Sequence, residues 1–339
     1  MSTLNIMGNG FDLYHGLPTQ YYDFACYMLS TDEPLYTELA EMYDFPIMSV
    51  DSHTNIGDYQ IADQFFWRDF EKNLGYLSPE WVENTLPDDL GLETPEAVSL
   101  TVPHSDRTDD VKTKLNDWIL SIDTSDNFQQ IRSQLGSKKL LFSHEDAFIS
   151  FNYTHTLEHI YHIANVFHIH GSASSGNFPN DLILGHGNSA EINTLNERIE
   201  QLRNEPYSEY SQANRNRIAE YTFERSILTQ FQKPTDLGLA HLHDFLDTIN
   251  TPDCICTYGF SFGKVDDPYI LYLRSKYPSA KWKFSYYSSQ DIHTTIERVV
   301  QLLHLETPQY ECFEFYNPNS NAIRDELIRR NHITYYSRQ

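Results

Sequence analysis

Two polar residues, Asn152 and His170, each close an apolar stretch of the chain, 147–151 and 166–169. Histidine is the side chain most easily poised as a base near neutral pH, and asparagine orients a hydroxyl or a water without changing its charge. At the ends of two strands they form the best polar pair for acid–base chemistry. Each also has a plainer reading alone: Asn152 as a turn residue bonding its own backbone, His170 as a satisfied histidine at a strand end. Two glycine-bearing loops follow other apolar stretches. Gly8-Asn9-Gly10-Phe11-Asp12 follows 4–7, and its glycines let backbone amides approach an anion. Leu13 stands where G-x-G-x-x-G needs its third glycine, so the dinucleotide fingerprint is incomplete. Gly259-Phe260-Ser261-Phe262-Gly263 follows 254–258.

Other constellations compete. His155, His159 and His162 fall at i, i+4 and i+7, with His168, His170 and His186 beyond. Histidines four apart on one helical face can hold zinc, but H-E-x-x-H is absent. With 15 histidines such clusters arise by chance, so no metal is expected. A metal-dependent hydrolase built on His155, His159 and His162 stands as an alternative. Phe66-Trp67-Arg68-Asp69-Phe70-Glu71 reads as core packing with an exposed acidic face. Asp266 and Asp267, before Pro268, read as a helix N-cap pair.

These residues need a frame. Short apolar runs at 4–7, 147–151, 166–169, 182–184, 254–258, 281–286 and 310–315 predict strands. Helical spacing covers 21–28, with Thr19 as N-cap, and 66–71, 111–122, 156–163, 191–202, 215–230, 268–275, 291–303 and 322–330. Residues 84–110 mix prolines, acids and serines and read as a long surface connection. Strand–helix alternation predicts an α/β, Rossmann-like fold, mainly parallel, with helices on both faces. The whole chain, 1–339, reads as one such domain with helical insertions at about 33–140 and 190–248. Ligands of such sheets bind at the carboxyl ends of the strands, where the four polar loops sit.

Composition narrows the partners. Of 339 residues, 40% are hydrophobic and 14% aromatic, too many for a disordered chain. Against 24 Lys and Arg stand 48 Asp and Glu, a net charge of −24 that disfavours nucleic acid and anionic membrane. No run approaches the roughly 18 apolar residues of a membrane span, and the start lacks the basic and apolar regions of a secretion signal. The 4 cysteines include no CxxC pair. A soluble, cytoplasmic protein is expected.

Met7-Gly8-Asn9-Gly10-Phe11-Asp12-Leu13, then His15-Gly16-Leu17-Pro18-Thr19-Gln20-Tyr21 and Asp23-Phe24, resembles the opening of the AbiH family of phage abortive-infection proteins. The resemblance continues in Trp67 with Asp69-Phe70-Glu71, in Ser150-Phe151-Asn152-Tyr153-Thr154, in His168-Ile169-His170-Gly171, and in Gly259 to Gly263 with Asp266 and Pro268-Tyr269. It implies a role in phage defence; an effector toxic to its own cell must be held off in health, so a phage trigger or partner protein is expected, which the sequence does not name.

The same blocks are similar, more weakly, to SIR2-like NAD-consuming domains. Gly8-x-Gly10 and Gly16-Leu17-Pro18-Thr19 resemble their opening loop, Asn152 their asparagine after a strand, His170-Gly171 their His-Gly, and Gly259-x-Ser261 their ribose and phosphate loop. That likeness implies NAD+ as substrate, Asn152 and His170 as catalytic residues, and Gly8, Asn9, Gly10, Phe11, Asp12, Thr19, Gly259, Ser261 and Asp266 as nucleotide contacts. Asp12 replaces a small hydroxyl residue, Gln20-Tyr21 lacks an arginine, and Thr154 replaces an aspartate. The expected reaction is hydrolysis of NAD+ to nicotinamide and ADP-ribose. A non-catalytic nucleotide-binding sensor is the alternative of another class, and homo-oligomerisation is left open.

Overall fold

A computed structural model describes residues 2–45, 66–86, 107–143, 145–175, 182–205, 212–317 and 319–330. Its centre is a sheet of β1 (Thr3–Met7), β2 (Ala147–Ser150), β3 (Val166–His168), β4 (Cys254–Tyr258), β5 (Lys281–Tyr286) and β6 (Tyr310–Glu314). Every pairing is parallel, and the order is β3-β2-β1-β4-β5-β6. This is the α/β, Rossmann-like arrangement expected, with its topological switch point between β1 and β4.

The strands read as nearly continuous apolar runs because both faces of the sheet are covered. Leu4, Ile6, Ile149, Ile255, Trp282 and Phe284 join one core; Met7 and Phe148 join the other. Among the helices that connect or follow these strands along the chain are α1 (Asn9–Tyr14), α2 (Tyr21–Thr31), α3 (Arg107–Ile122), α4 (Ser125–Leu135), α5 (Thr156–Tyr161), α6 (Thr235–Thr248), α7 (Asp267–Lys276), α8 (Glu297–Leu302) and α9 (Ser320–Arg330). On the first face pack Leu242 and Leu246 of α6, Tyr269, Ile270 and Leu273 of α7, and Val299 of α8. On the second, Phe11 of α1 and Leu157 of α5 close over Met7 and Phe148.

The chain forms two compact units. The sheet unit comprises Met1–Phe24, Leu115–Ile183 and Pro234–Tyr335; the other comprises Ala25–Lys114, Leu184–Lys233 and Tyr336–Gln339. The helical stretches 33–140 and 190–248 divide between them, since 115–140 and 234–248 go with the sheet.

The second unit is helical, with helices at Glu33–Tyr43, Phe70–Asn73, Pro79–Thr85, Ser189–Arg203 and Gln212–Gln230. Trp67 stacks on both Phe70 and Tyr36, so the aromatic half of the Phe66–Glu71 motif is core. Its acidic end is not wholly a solvated face. Glu71 accepts at 2.6 Å from Lys233 Nζ, whose side chain is 1% exposed.

Three local expectations are corrected. Residues 182–184 add no strand: Leu182 and Leu184 are buried, but among the described residues Ile183 N–H makes a single bond to His170 O, at 2.9 Å, rather than a ladder. Thr19 is not the cap of α2. The helix starts at Tyr21, and Asp23 Oδ2 reaches back to accept the Gln20 N–H at 3.0 Å. The histidine helix is only six residues, Thr156–Tyr161, with His155 at its N-cap and His162 at its C-cap in the left-handed region, φ 60°. Most of the 84–110 connection lies outside the described residues.

Candidate functional site

All four polar loops meet at the carboxyl edge of the sheet. At the switch point the two glycine loops lie backbone on backbone. Gly8 N–H donates to Tyr258 O at 3.0 Å and Gly10 N–H to Gly259 O at 2.8 Å. A Cβ on Gly8 would fall 2.5 Å from Phe260 Cα, and one on Gly259 2.2 Å from Gly10 C. Gly259 also has φ +58°, which glycine adopts without a Cβ penalty. Close loop packing is therefore the reason for the G-x-G. The Phe11 amide closes back on Gly8 O at 2.8 Å, so three of the amides considered for a phosphate are bonded within the protein.

Asn152 locks the end of β2 against this loop. Its Nδ2 donates to Gly8 O at 2.9 Å, its N–H to Ser150 Oγ at 3.1 Å, and its carbonyl accepts from His168 Nδ1 at 3.0 Å. The other ring nitrogen of His168 faces Glu158 Oε1 at 2.9 Å.

His170 stands on the far side of β2. Its Nε2 meets Asp266 Oδ1 at 3.2 Å, and Phe151, Tyr153 and Tyr269 surround the ring, which is 2% exposed. Asp266 thus does more than begin α7: its carboxylate reaches back across the edge to an imidazole. The loop that carries it is held by Arg298, whose guanidinium grips Asp267 through both oxygens and also donates to Phe262 O. Phe262 has φ 53°, so this carbonyl is presented by a strained residue.

Asp12 is buried, and both its oxygens are occupied. Oδ2 accepts from Thr154 and Oδ1 from Thr156, each at 2.6 Å. Burial pushes its carboxyl up from 3.8 to about 7, against those two hydroxyls and Asn152, which favour the charge; nearby Asp123 adds to the rise. Three residues on, His15 is also buried, between Phe11 O and Tyr161 Oη, each at 2.7 Å, and burial lowers it to about 4. Nδ1 donates to the carbonyl and Nε2 accepts from the phenol, a neutral imidazole satisfied at both ends.

The remaining expected contacts divide. Asn9 and Ser261 are exposed on the edge. Phe11 belongs to an aromatic cluster with His15, Tyr161, Tyr258 and Phe315. Thr19 is buried. Asp123 was invisible in the sequence. It follows α3, its side chain is 2% exposed, and its Oδ2 accepts from both the Nδ1 and the backbone N–H of His155, at 2.5 and 3.2 Å. That hydrogen bond raises His155, partly offset by burial. His159 lies 3.8 Å from the other oxygen. His162 caps the far end of α5, so the three histidines do not share a helical face. Among the described residues no group of three or more His, Cys, Asp or Glu side chains is arranged to hold a metal.

Among the described residues no helix is long and apolar enough to cross a membrane. No curated protein matches the chain at a significant level. The family model for bacteriophage abortive infection AbiH matches residues 4–286, from the second residue of β1 to the end of β5, with all four polar loops. The chain belongs to the AbiH family of bacteriophage abortive infection.

Proposed function

We propose that this AbiH protein acts in abortive infection by hydrolysing NAD+ to nicotinamide and ADP-ribose at the carboxyl edge of its sheet. The observation that carries the reading is the His170–Asp266 pair: an imidazole at the end of β3, held by a buried carboxylate beside the switch point. Switch points of this strand order are where nucleotides bind.

Nicotinamide leaves NAD+ as a neutral molecule, so the leaving group needs no acid. The barrier lies in the cationic, oxocarbenium-like ribose. His170 serves as the base that takes the proton of the attacking water or a ribose hydroxyl, and Asp266 fixes its orientation. Asn152 orients the attacking oxygen. With Gly8, Gly10 and Phe11 amides engaged and Asp12 enclosed by threonines, the exposed Asn9 and Ser261 are the side chains of these loops left to meet phosphate or ribose.

A second reading has its own support. Asn152 and His170 are both buried and both hydrogen-bonded to protein, which suits a nucleotide-binding sensor that does not turn its ligand over. One assay separates the two. Purified protein is incubated with NAD+ while free nicotinamide is followed, beside His170→Ala and Asn152→Ala. The hydrolase reading expects release that falls about 10²-fold or more in each variant. Equal release in all three, or none by the unaltered protein, removes it; tight NAD+ binding without release leaves the sensor.

A further inference from the structure

Beyond the switch point the same edge carries two aromatic rings with no role so far. Tyr287 follows β5 and Tyr316 follows β6, and they are 67% and 47% exposed, whereas their aromatic neighbours Tyr14, Tyr258 and Tyr286 are half-buried and Phe315 is buried. Their rings meet at 5.3 Å and 70°. Neither sits on loose backbone. Tyr287 N–H donates to Asp291 Oδ2 at 3.0 Å, inside a capping box with Ser288. Tyr316 follows the buried Phe315, whose N–H donates to Tyr286 O at 2.7 Å, and precedes Asn317, which donates to Tyr14 O at 2.8 Å.

The pair is also continuous with the candidate site. Phe315 stacks on Tyr14 at 4.3 Å and lies parallel to Phe11 of the glycine turn at 6.5 Å. Ser285 Oγ accepts the Gly259 N–H at 2.8 Å, tying the end of β5 to the β4 loop. Strand spacing sets the remaining dimension: β5 and β6 lie roughly 5 and 10 Å beyond β4, on the opposite side of the switch point from β2 and β3.

We infer that Tyr287 and Tyr316 form a stacking platform for a planar heteroaromatic base, the adenine half of the dinucleotide whose ribose–nicotinamide half lies toward Asn152 and His170. This rests on the nucleotide reading of the edge, though not on turnover. The chemistry favours it: a chain of net charge −24 gains little from phosphate attraction, so affinity must come from elsewhere. A rigid, exposed phenol ring offers stacking on any base at low cost in side-chain entropy.

The test is binding of adenosine 5′-monophosphate by isothermal titration, with ribose 5-phosphate as the ligand lacking a base. The unaltered protein, Tyr287→Ala, Tyr316→Ala and Tyr287→Phe are compared, and NAD+ turnover is measured on each. A platform weakens for the nucleotide by roughly 5- to 150-fold in each alanine variant, is retained in Tyr287→Phe, and leaves ribose 5-phosphate unchanged. On NAD+ the alanine variants raise KM and spare kcat. Equal nucleotide affinity in all four proteins overturns the platform, as does no nucleotide binding at all. Tyrosine-dependent binding with no nicotinamide released keeps the platform and removes the hydrolase. Nicotinamide release with KM unmoved in both alanine variants does the reverse.

Discussion

His170 and Asp266 pair at 3.2 Å although their strands, β3 and β4, stand three positions apart in the sheet. The contact passes over the ends of β2 and β1, so it joins the outer half of the edge to the switch point. Arg298 stiffens the Asp266 end, and three aromatic rings enclose the His170 end.

Replacing Asp266 by asparagine keeps the size of the side chain and removes its charge. Nicotinamide release should fall by about 10²-fold or more, since the imidazole loses the partner that fixes its orientation. Far-ultraviolet circular dichroism should be unchanged. Activity equal to the unaltered protein would show that the pair serves packing alone.

Asp12 and His15 make opposite contributions to stability against pH. Between pH 3.8 and about 7 the folded chain keeps a proton on Asp12 that the unfolded chain releases, so stability falls as pH rises through that window. The total is roughly 4 kcal/mol. His15, lowered from 6.5 to about 4, refuses a proton that the unfolded chain accepts, so stability falls on acidification through that range, by roughly 3 kcal/mol. The two slopes offset each other between about pH 4 and 6.5. In urea unfolding, Asp12→Asn should lose stability on acidification more steeply than the unaltered protein. His15→Gln should lose it as pH rises from 4 to 7. Three superimposable profiles would contradict both assignments.

In the helical unit, Lys233→Met leaves Glu71 facing a buried site without its ammonium partner. Removing one member of such a pair costs about 3–5 kcal/mol, whereas replacing both is often neutral. Lys233→Met should therefore lower the urea midpoint strongly, and Lys233→Met with Glu71→Leu should recover most of the loss. A double variant as weak as the single one would mean that the ion pair itself stabilises the unit.

Two glycines with positive φ make a matched comparison. Gly136, at φ +49° and ψ −121°, has nothing within 4 Å of where a Cβ would stand, so Gly136→Ala should cost only the strain of that sparsely populated backbone region, about 1–3 kcal/mol. Gly259→Ala adds a clash at 2.2 Å with the Gly10 backbone and should prevent soluble folding or lower Tm by far more. Similar melting of the two variants would show that the glycine loops can separate freely.

The sheet was legible because parallel strands buried on both faces leave unbroken apolar runs, and six of the seven expected runs became strands. The run at 182–184 is equally apolar, but burial alone does not supply a ladder. At the site, the sequence marked Asn152 and His170 through their places after strands. It could not mark what each would touch. Asp123, just past α3, and Arg298, on α8, come from segments distant in sequence, and nothing in their local pattern distinguishes them from surface charges. The role of Asp12 turned on the same lack. Thr154 and Thr156 enclose its carboxylate from 142 and 144 residues away.

The register of β1 has a consequence for synthesis on the ribosome. Thr3 is the partner of Cys254, and Gly10 rests on Gly259, so the first strand to emerge cannot complete its pairings until three-quarters of the chain has been made. Contacts this distant along the chain make for slow assembly. A chain stopped before Cys254 lacks β4, β5 and β6, and with them the half of the edge on which the β1 glycine turn rests.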